Sequence, residues 1–235
     1  MKIISWNLLH FAGATVDEIE TLIEDERPDL LLMQEATRRI DLLPARLGGY
    51  YARHTLPGRR HGLAAWSPSP FRTAPWSFKL QPGLIVRRVC QILGLSGFTV
   101  ANVHLSHGQM LNRRQLGLIF DNLPSRAAVL GDCNMVGPFL QNRFRDVGPR
   151  IATHFVGTVL PLRLDRCFIR NLDCTEVHVL AKGGSDHYPI MVRLSVPQPR
   201  DCDDHVGLRS FRPSIKWFAA AKMAFGTTVR RDSNI

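Results

Sequence analysis

The sequence contains no apolar run approaching the roughly 20 residues a helix needs to cross a bilayer. Behind Met1 stand one lysine and the short apolar stretch 3–6, which Asn7 and His10 interrupt, so the hydrophobic segment of a secretory signal is missing too. A soluble, cytoplasmic chain is therefore expected. The five cysteines, Cys90, Cys133, Cys167, Cys174 and Cys202, are odd in number and include no C-x-x-C pair, which argues against a disulfide framework or a structural zinc site. A G-x-S-x-G elbow, a Walker loop and an H-E-x-x-H helix are all lacking, which removes three common catalytic schemes. Acidic residues are scarce, 20 against 30 lysines and arginines, leaving a formal charge of +10. Such a surface favours polyanions such as nucleic acid or anionic lipid, although charge spread this evenly also suits a merely basic, soluble protein.

What is present is a globular composition, 45% hydrophobic over 235 residues, enough for one substantial core. Residues 2–6 read as a buried strand. Thr15 and Glu18 fit a capping box opening a helix that Pro28 ends. The Leu/Met run 29–34 reads as a strand buried on both faces, with Glu35 at its C-terminal tip. A helix over 37–47, a hairpin over 50–67 turning at Pro57-Gly58, strands over 84–93 and 98–105, and a helix over 109–123 follow. Further strands are expected at 127–130, 164–170, 175–180 and 188–196. Hairpins mixed with alternating strands and helices point to two packed sheets covered by helices. Beyond Pro197 the composition turns to Pro, Asp, Arg and Ser. We expect a core domain over 1–196 and a basic tail over 197–235, in which 214–225, with Lys216, Trp217, Phe218 and Lys222, can form a short helix.

Asn7, Glu35, His104, Asp132, Asn134, Asp186 and His187 each finish or follow a strand-like run. Singly, each has a structural reading: a turn, a helix cap, a core histidine or an Asx turn. Together they form a set of carboxylates, amides and imidazoles at strand ends that converge at one sheet edge. Metal-assisted phosphate hydrolysis requires such a set: ligands for a hard cation, a water activator and donors to the developing negative charge.

The segments I-S-W-N (4–7), M-Q-E (33–35), N-V-H-L (102–105), G-D-C-N (131–134), R-L-D-R-C-F (163–168) and G-S-D-H-Y-P (184–189) occur in the order that resembles the endonuclease/exonuclease/phosphatase superfamily. The resemblance implies an α/β fold, a four-layered sandwich of two packed mixed β-sheets flanked by helices. It also implies a magnesium-dependent phosphoesterase, with Mn2+ a possible substitute. By that likeness Glu35 is the main metal ligand, with Asn7 beside it and Asp186 nearby. Asp132 orients or deprotonates water, Asn134 holds that water or a phosphate oxygen, and His187 donates to the scissile phosphate with Asp165 fixing its tautomer. His104 matches the second histidine of nuclease and sphingomyelinase members, a leaving-group acid or phosphate clamp; abasic-site enzymes have tyrosine there.

Two departures mark a divergent branch: Cys133 replaces the phenylalanine usual in G-D-F-N, and Arg166-Cys167 replaces a tyrosine-containing pair. The hairpin that supplies an acidic partner to the His104 equivalent of pancreatic deoxyribonuclease offers Arg59, Arg60 and His61 here. Arg59, Arg60, Arg87, Arg88, Arg113 and Arg114 are candidate phosphate contacts, with Arg87 and Arg114 the selected pair. The expected activity is a monomeric nucleic-acid phosphodiesterase. The alternative is a phosphatase or phospholipase C-like hydrolase of phosphorylated lipids or small metabolites, favoured by the short chain, which leaves little room for DNA-binding insertions. A binding module without catalysis is disfavoured because every polar position is filled.

Overall fold

The apolar run after Met1 forms β1 (Lys2–Asn7), and the run after Pro28 forms β2 (Leu30–Thr37), parallel to it. Parallel neighbours need a crossover, which α1 (Val16–Glu26) supplies. Its start is the capping box read from the sequence: the Thr15 hydroxyl accepts from the Glu18 N–H, and the Glu18 carboxylate accepts from the Thr15 N–H. The expected helix over 37–47 is in two pieces, a 3₁₀ turn (Arg38–Leu42) and α2 (Leu43–Leu47). Pro44 stands in the first turn of α2, where its missing N–H costs nothing. The hairpin β3 (Tyr50–Thr55) and β4 (His61–Ser67) then folds back onto β2.

The computed structural model describes residues 1–11, 13–83, 86–139, 142–156 and 159–198. After β4 come β5 (Trp76–Lys79), β6 (Val89–Gly94), β7 (Thr99–His104), α3 (Gln109–Asn122) and β8 (Ala127–Asp132). The chain continues through β9 (Arg145–Asp146), β10 (His154–Val156), β11 (Leu160–Leu162), β12 (Asp165–Arg170), β13 (Asp173–Val179) and β14 (Ile190–Ser195). Among the described residues one six-stranded sheet runs β13-β14-β1-β2-β4-β3 and the other β5-β6-β7-β8-β12-β9, while β10 and β11 pair separately. Each large sheet has a parallel pair at its centre, β1/β2 or β7/β8, with α3 making the second crossover, and antiparallel strands elsewhere.

Three apolar clusters make this a four-layered sandwich. Ile3, Leu30, Leu32, Val100, Ala128, Leu130, Cys167 and Ile169 pack between the sheets. Ile19 and Ile23 of α1 with Leu43 of α2 cover Ile4, Trp6, Leu31 and Met33 on one outer face. Leu116, Ile119 and Phe120 of α3 cover Ala101, Val103, Val129 and Phe168 on the other. The expected strand over 84–93 begins at Val89, with 84 and 85 outside the described residues. β5 occupies a proline-rich stretch, and β9, β10 and β11 are two or three residues long, too short to show a period. Among the described residues no helix is long and apolar enough to cross a membrane. Met1–Gln198 forms one compact unit, and the expected tail helix over 214–225 lies outside the described residues.

Strand alternation positions the site. Successive side chains point to opposite faces, so the rows facing the inter-sheet core run Ile3-Ser5-Asn7, Leu30-Leu32-Gln34, Val100-Asn102-His104, Ala128-Leu130-Asp132 and Ile169-Cys167-Asp165. Each row turns polar towards one edge of the sandwich. One step inside that edge, Asn102 ties the sheets together: its amide donates to Ala64 O (3.0 Å), Met33 O (3.3 Å) and Gln91 Oε1 (2.9 Å), and its Oδ1 accepts from Gln34 Nε2 (2.7 Å). Such a buried network specifies register even with Gln34 Oε1 left without a partner, and losing Asn102 would strand the groups it joins. Asn102→Ala is expected to cost about 3 kcal/mol of unfolding free energy, read from urea denaturation; a loss under about 0.5 kcal/mol would show the network to be dispensable.

Candidate active site

Glu35 sits where β2 departs from regular pairing: the register with β4 shifts between Met33 and Ala36, and Glu35 takes a left-handed φ of 57°. For a residue with a Cβ this conformation is strained, and the bulge re-aims the side chain that two-residue alternation would send outward. Glu35 therefore lies within β2 and not simply at its tip. His10 holds it, donating its backbone N–H to Glu35 Oε2 at 3.0 Å and pairing its ring Nδ1 with the same oxygen. Burial raises the Glu35 pKa, but the bonds and charge of His10 outweigh it, so the carboxylate titrates below its ordinary range.

β8 runs into the loop Asp132-Cys133-Asn134. Gly131 has φ 139°, and a Cβ there would stand 2.0 Å from Val103 O, so only glycine lets β8 approach β7 this closely. Asn134 is left-handed (φ 47°), a conformation asparagine tolerates. The Asp132 carboxylate accepts from Asn134 N (2.9 Å), Asn134 Nδ2 (3.3 Å) and Asn7 Nδ2 (3.0 Å). The loop is braced from α3, where Asn112 and Gln109 donate to Asn134 O at 2.7 and 3.0 Å and Arg113 donates to Val136 O at 2.9 Å. Buried Arg166 braces the other side through Met135 O (3.0 Å), Gly137 O (2.9 Å) and Asp146 (2.9 Å). The arginine in the divergent Arg166-Cys167 pair thus holds the loop that follows Asp132 and Asn134. Cys133 points the other way, into the core beneath α3. Burial drives its thiol well above the ordinary range, which removes it as a nucleophile.

His187 Nδ1 pairs with Asp165 Oδ2 at 2.8 Å, leaving Nε2 facing Asp132 Oδ2 at 3.7 Å. Burial opposes a charge on this imidazole, but Asp165 and Asp132 more than offset it and push its pKa up to about 10. Asp132 lies above its ordinary range because it is buried, with His187 opposing that shift and Asp165 adding to it. His104 stands 3.3 Å from Asp132 Oδ2 and 3.8 Å from Glu35 Oε1. Its acidic neighbours are thus the carboxylates of the site itself. Burial, followed by the charges of Arg88 and His187, holds it neutral. His61 stacks on His10, ring centroids 3.8 Å apart, and burial lowers its pKa to about 4.

Asn7, Glu35, His104, Asp132, Asn134, Asp186 and His187 all line one cleft of about 450 Å3, and Asp165 stands behind His187. Arg87 and Arg114 are exposed and do not line it. The neighbouring Arg88 does not line it either but is buried: it is 3% exposed, its Nε and Nη1 have no partner, and the charges of Asp132 and Glu35 act on it. A two-arginine sequence does not say which side chain is buried, and since both residues precede β6 (Val89–Gly94) strand alternation does not say so either. Among the described residues, ligand atoms of Asp132-Asp165-His187 and of His154-Asp186-His187 lie close enough to share an ion.

Carboxylates, amides and imidazoles converging on one cleft are the equipment of a phosphoester hydrolase. Residues 4–187 match the Endonuclease/Exonuclease/phosphatase family, to which the chain belongs. Members of this family hydrolyse phosphoester bonds and generally use a divalent metal. No curated protein matches the sequence. The fold is similar to that of an endonuclease/exonuclease/phosphatase from Beutenbergia cavernae (18% identity, TM-score 0.67, covering 83% of this chain and 71% of that one). It is also similar to the mannosyl-6-phosphatase Bt3783 of Bacteroides thetaiotaomicron (17%, 0.64, 83% and 99%) and to D. rerio TDP2 complexed with single-strand DNA product (15%, 0.66, 83% and 99%). At these identities the likeness is one of fold.

The His187-Asp165 pair makes a signed expectation. Asp165→Asn removes a negative charge that favours the imidazolium, so the His187 pKa falls from about 10 towards the ordinary histidine value. The alkaline limb of any activity that needs protonated His187 moves to lower pH with it. NMR titration of the ring checks this, and a value still near 10 in the variant would contradict it.

Proposed function

We propose that the chain is a magnesium-dependent phosphodiesterase acting on nucleic acid, with Mn2+ able to substitute. The observation that carries the hydrolytic reading is the convergence on Asp132. One carboxylate receives Asn7 and Asn134, faces Nε2 of His187 and lies 3.3 Å from His104.

The donor set suits a hard cation. Glu35 keeps Oε1 free of hydrogen bonds from His10, and Asp186 Oδ1 is a buried oxygen without a partner. Glu35, Asn7 and Asp186 would hold the ion, which when bound supplies charge neutralisation at a phosphate oxygen and the leaving alkoxide. Asp132, buried and above its ordinary range, accepts a proton from water held between it and Asn134. His187, charged and oriented by Asp165, donates Nε2–H to the non-bridging oxygen where negative charge grows. Neutral His104 donates a second hydrogen bond to the phosphate. Arg88, buried behind the lining with two of its nitrogens unpartnered, adds positive charge beside Asp132 and Glu35 that favours an anionic substrate.

Net charge of +10 supports the nucleic-acid reading. A phosphorylated lipid is the second reading, favoured by the rim: Leu9, Val136, Val156 and Leu162 line the cleft, and Val136, Val156, Val159 and Leu160 are more than half exposed. Plasmid and oligonucleotide cleavage with Mg2+, falling steeply with salt, is expected. Intact nucleic acid alongside phosphate or phosphoalcohol release from lipid vesicles would replace the first reading by the second. Asp132→Ala and His187→Ala should each lower kcat about 1,000-fold with unchanged thermal unfolding; retained turnover in either would break the mechanism. Arg88→Ala should lower kcat/KM about 10- to 100-fold, with partial rescue in Arg88→Lys, whereas Arg87→Ala should stay within about twofold.

A further inference from the structure

Two of the polar atoms buried without a hydrogen-bond partner belong to neighbouring side chains, His154 Nδ1 and Asp186 Oδ1. The other Asp186 oxygen lies 3.7 Å from His154 Nδ1, too far for a hydrogen bond but suitable for two atoms that each stand about 2.0–2.2 Å from a shared ion. His187 is the third member: ligand atoms of His154, Asp186 and His187 all fall within 4.8 Å of one another, and the two rings have centroids 4.4 Å apart. Buried polar atoms without partners are uncommon and call for a ligand.

The arrangement is held in place before any ligand arrives. An antiparallel bridge pairs His154 with His187, and Tyr188 N donates to Thr153 O at 2.8 Å. The Thr153 hydroxyl accepts from Leu164 N and Asp165 N at 3.2 and 3.0 Å, fixing β10 to the start of β12. His187 keeps Nδ1 on Asp165, so Nε2 is the atom it offers, in the carboxylate-histidine-metal order that orients metal-bound imidazoles. Two imidazoles and one carboxylate suit Zn2+ and its first-row neighbours; Mg2+ prefers an all-oxygen set.

We propose that His154, Asp186 and His187 form a site for a transition-metal dication of the Zn2+ class, and that filling it turns the enzyme off. The carboxylates around His187 attract a dication as they attract a proton. An ion on Nε2 takes the place of the hydrogen that His187 presents to the phosphate, and it draws Asp186 away from magnesium. The inhibitory half rests on the role given above to His187; the binding half does not.

Co2+ serves as a spectroscopic probe of the full-length protein without Mg2+. A visible ligand-field band saturating at one equivalent is expected, with at least tenfold weaker binding in both His154→Ala and the polar, volume-conserving His154→Gln. At fixed Mg2+, Zn2+ should inhibit the wild type, and both variants should keep Mg2+-dependent turnover within about twofold while resisting Zn2+ at least tenfold better. That turnover, with circular dichroism, certifies their fold. The absence of a Co2+ band in the wild type, or equal Co2+ affinity in all three proteins, would overturn the site; equal Zn2+ sensitivity would overturn the switch. A wild type inert with Mg2+ on every phosphoester would sink the phosphoesterase reading instead, because the Co2+ titration needs no turnover.

Discussion

The two-residue period of strands packed face to face is the constraint on which the cleft depends. Between the sheets it demands apolar side chains at every second position, and the core between Ile3, Leu32, Val100, Leu130 and Ile169 meets that demand. At the edge where the sheets open, the same rows carry Asn7, His104, Asp132 and Asp165, so the polar groups inherit positions fixed by the core behind them. Asn102 and Gln34 mark the transition, joining buried amides across the sheets just before the cleft-lining polar residues begin. A one-residue slip of any of these strands would turn its reactive residue out of the cleft.

Much of this was legible in the sequence, because strand tips and apolar runs are local features. The Thr15/Glu18 capping box, the glycine before Asp132 and the order of the polar tips required only neighbours along the chain. Other features required the fold. Nothing near Glu35 in the sequence announces that it stands on a bulge or that His10, 25 residues away, pins its carboxylate. Nothing around Arg166 announces its bonds to Met135 and Gly137, 31 and 29 residues away. His154 lay in a stretch whose strands are too short for periodicity, and its partners come from another loop. The choice between Arg87 and Arg88 also required the fold, since both precede β6 and only Arg88 is buried.

Electrostatics separates the imidazoles by environment. His187, between Asp165 and Asp132, is held protonated; His104, equally buried but facing Arg88, is held neutral. Two histidines near one carboxylate are therefore driven towards opposite charge states, a difference that their residue type alone does not reveal. The loop bearing Asp132 is fixed from α3 on one side and by Arg166 on the other, so the geometry is set before substrate binds.

In the proposed reaction, water beside Asp132 attacks phosphorus directly. Single-turnover hydrolysis in 18O-labelled water tests it most directly, followed by mass analysis of the phosphoryl product and of the protein. One labelled oxygen in the first-turnover phosphoryl product, with none in the protein, is the expected result. Label left on Asp132, or a phosphoaspartate trapped by acid quenching on the way to a labelled product, would mean that the carboxylate itself had attacked, and would contradict this account.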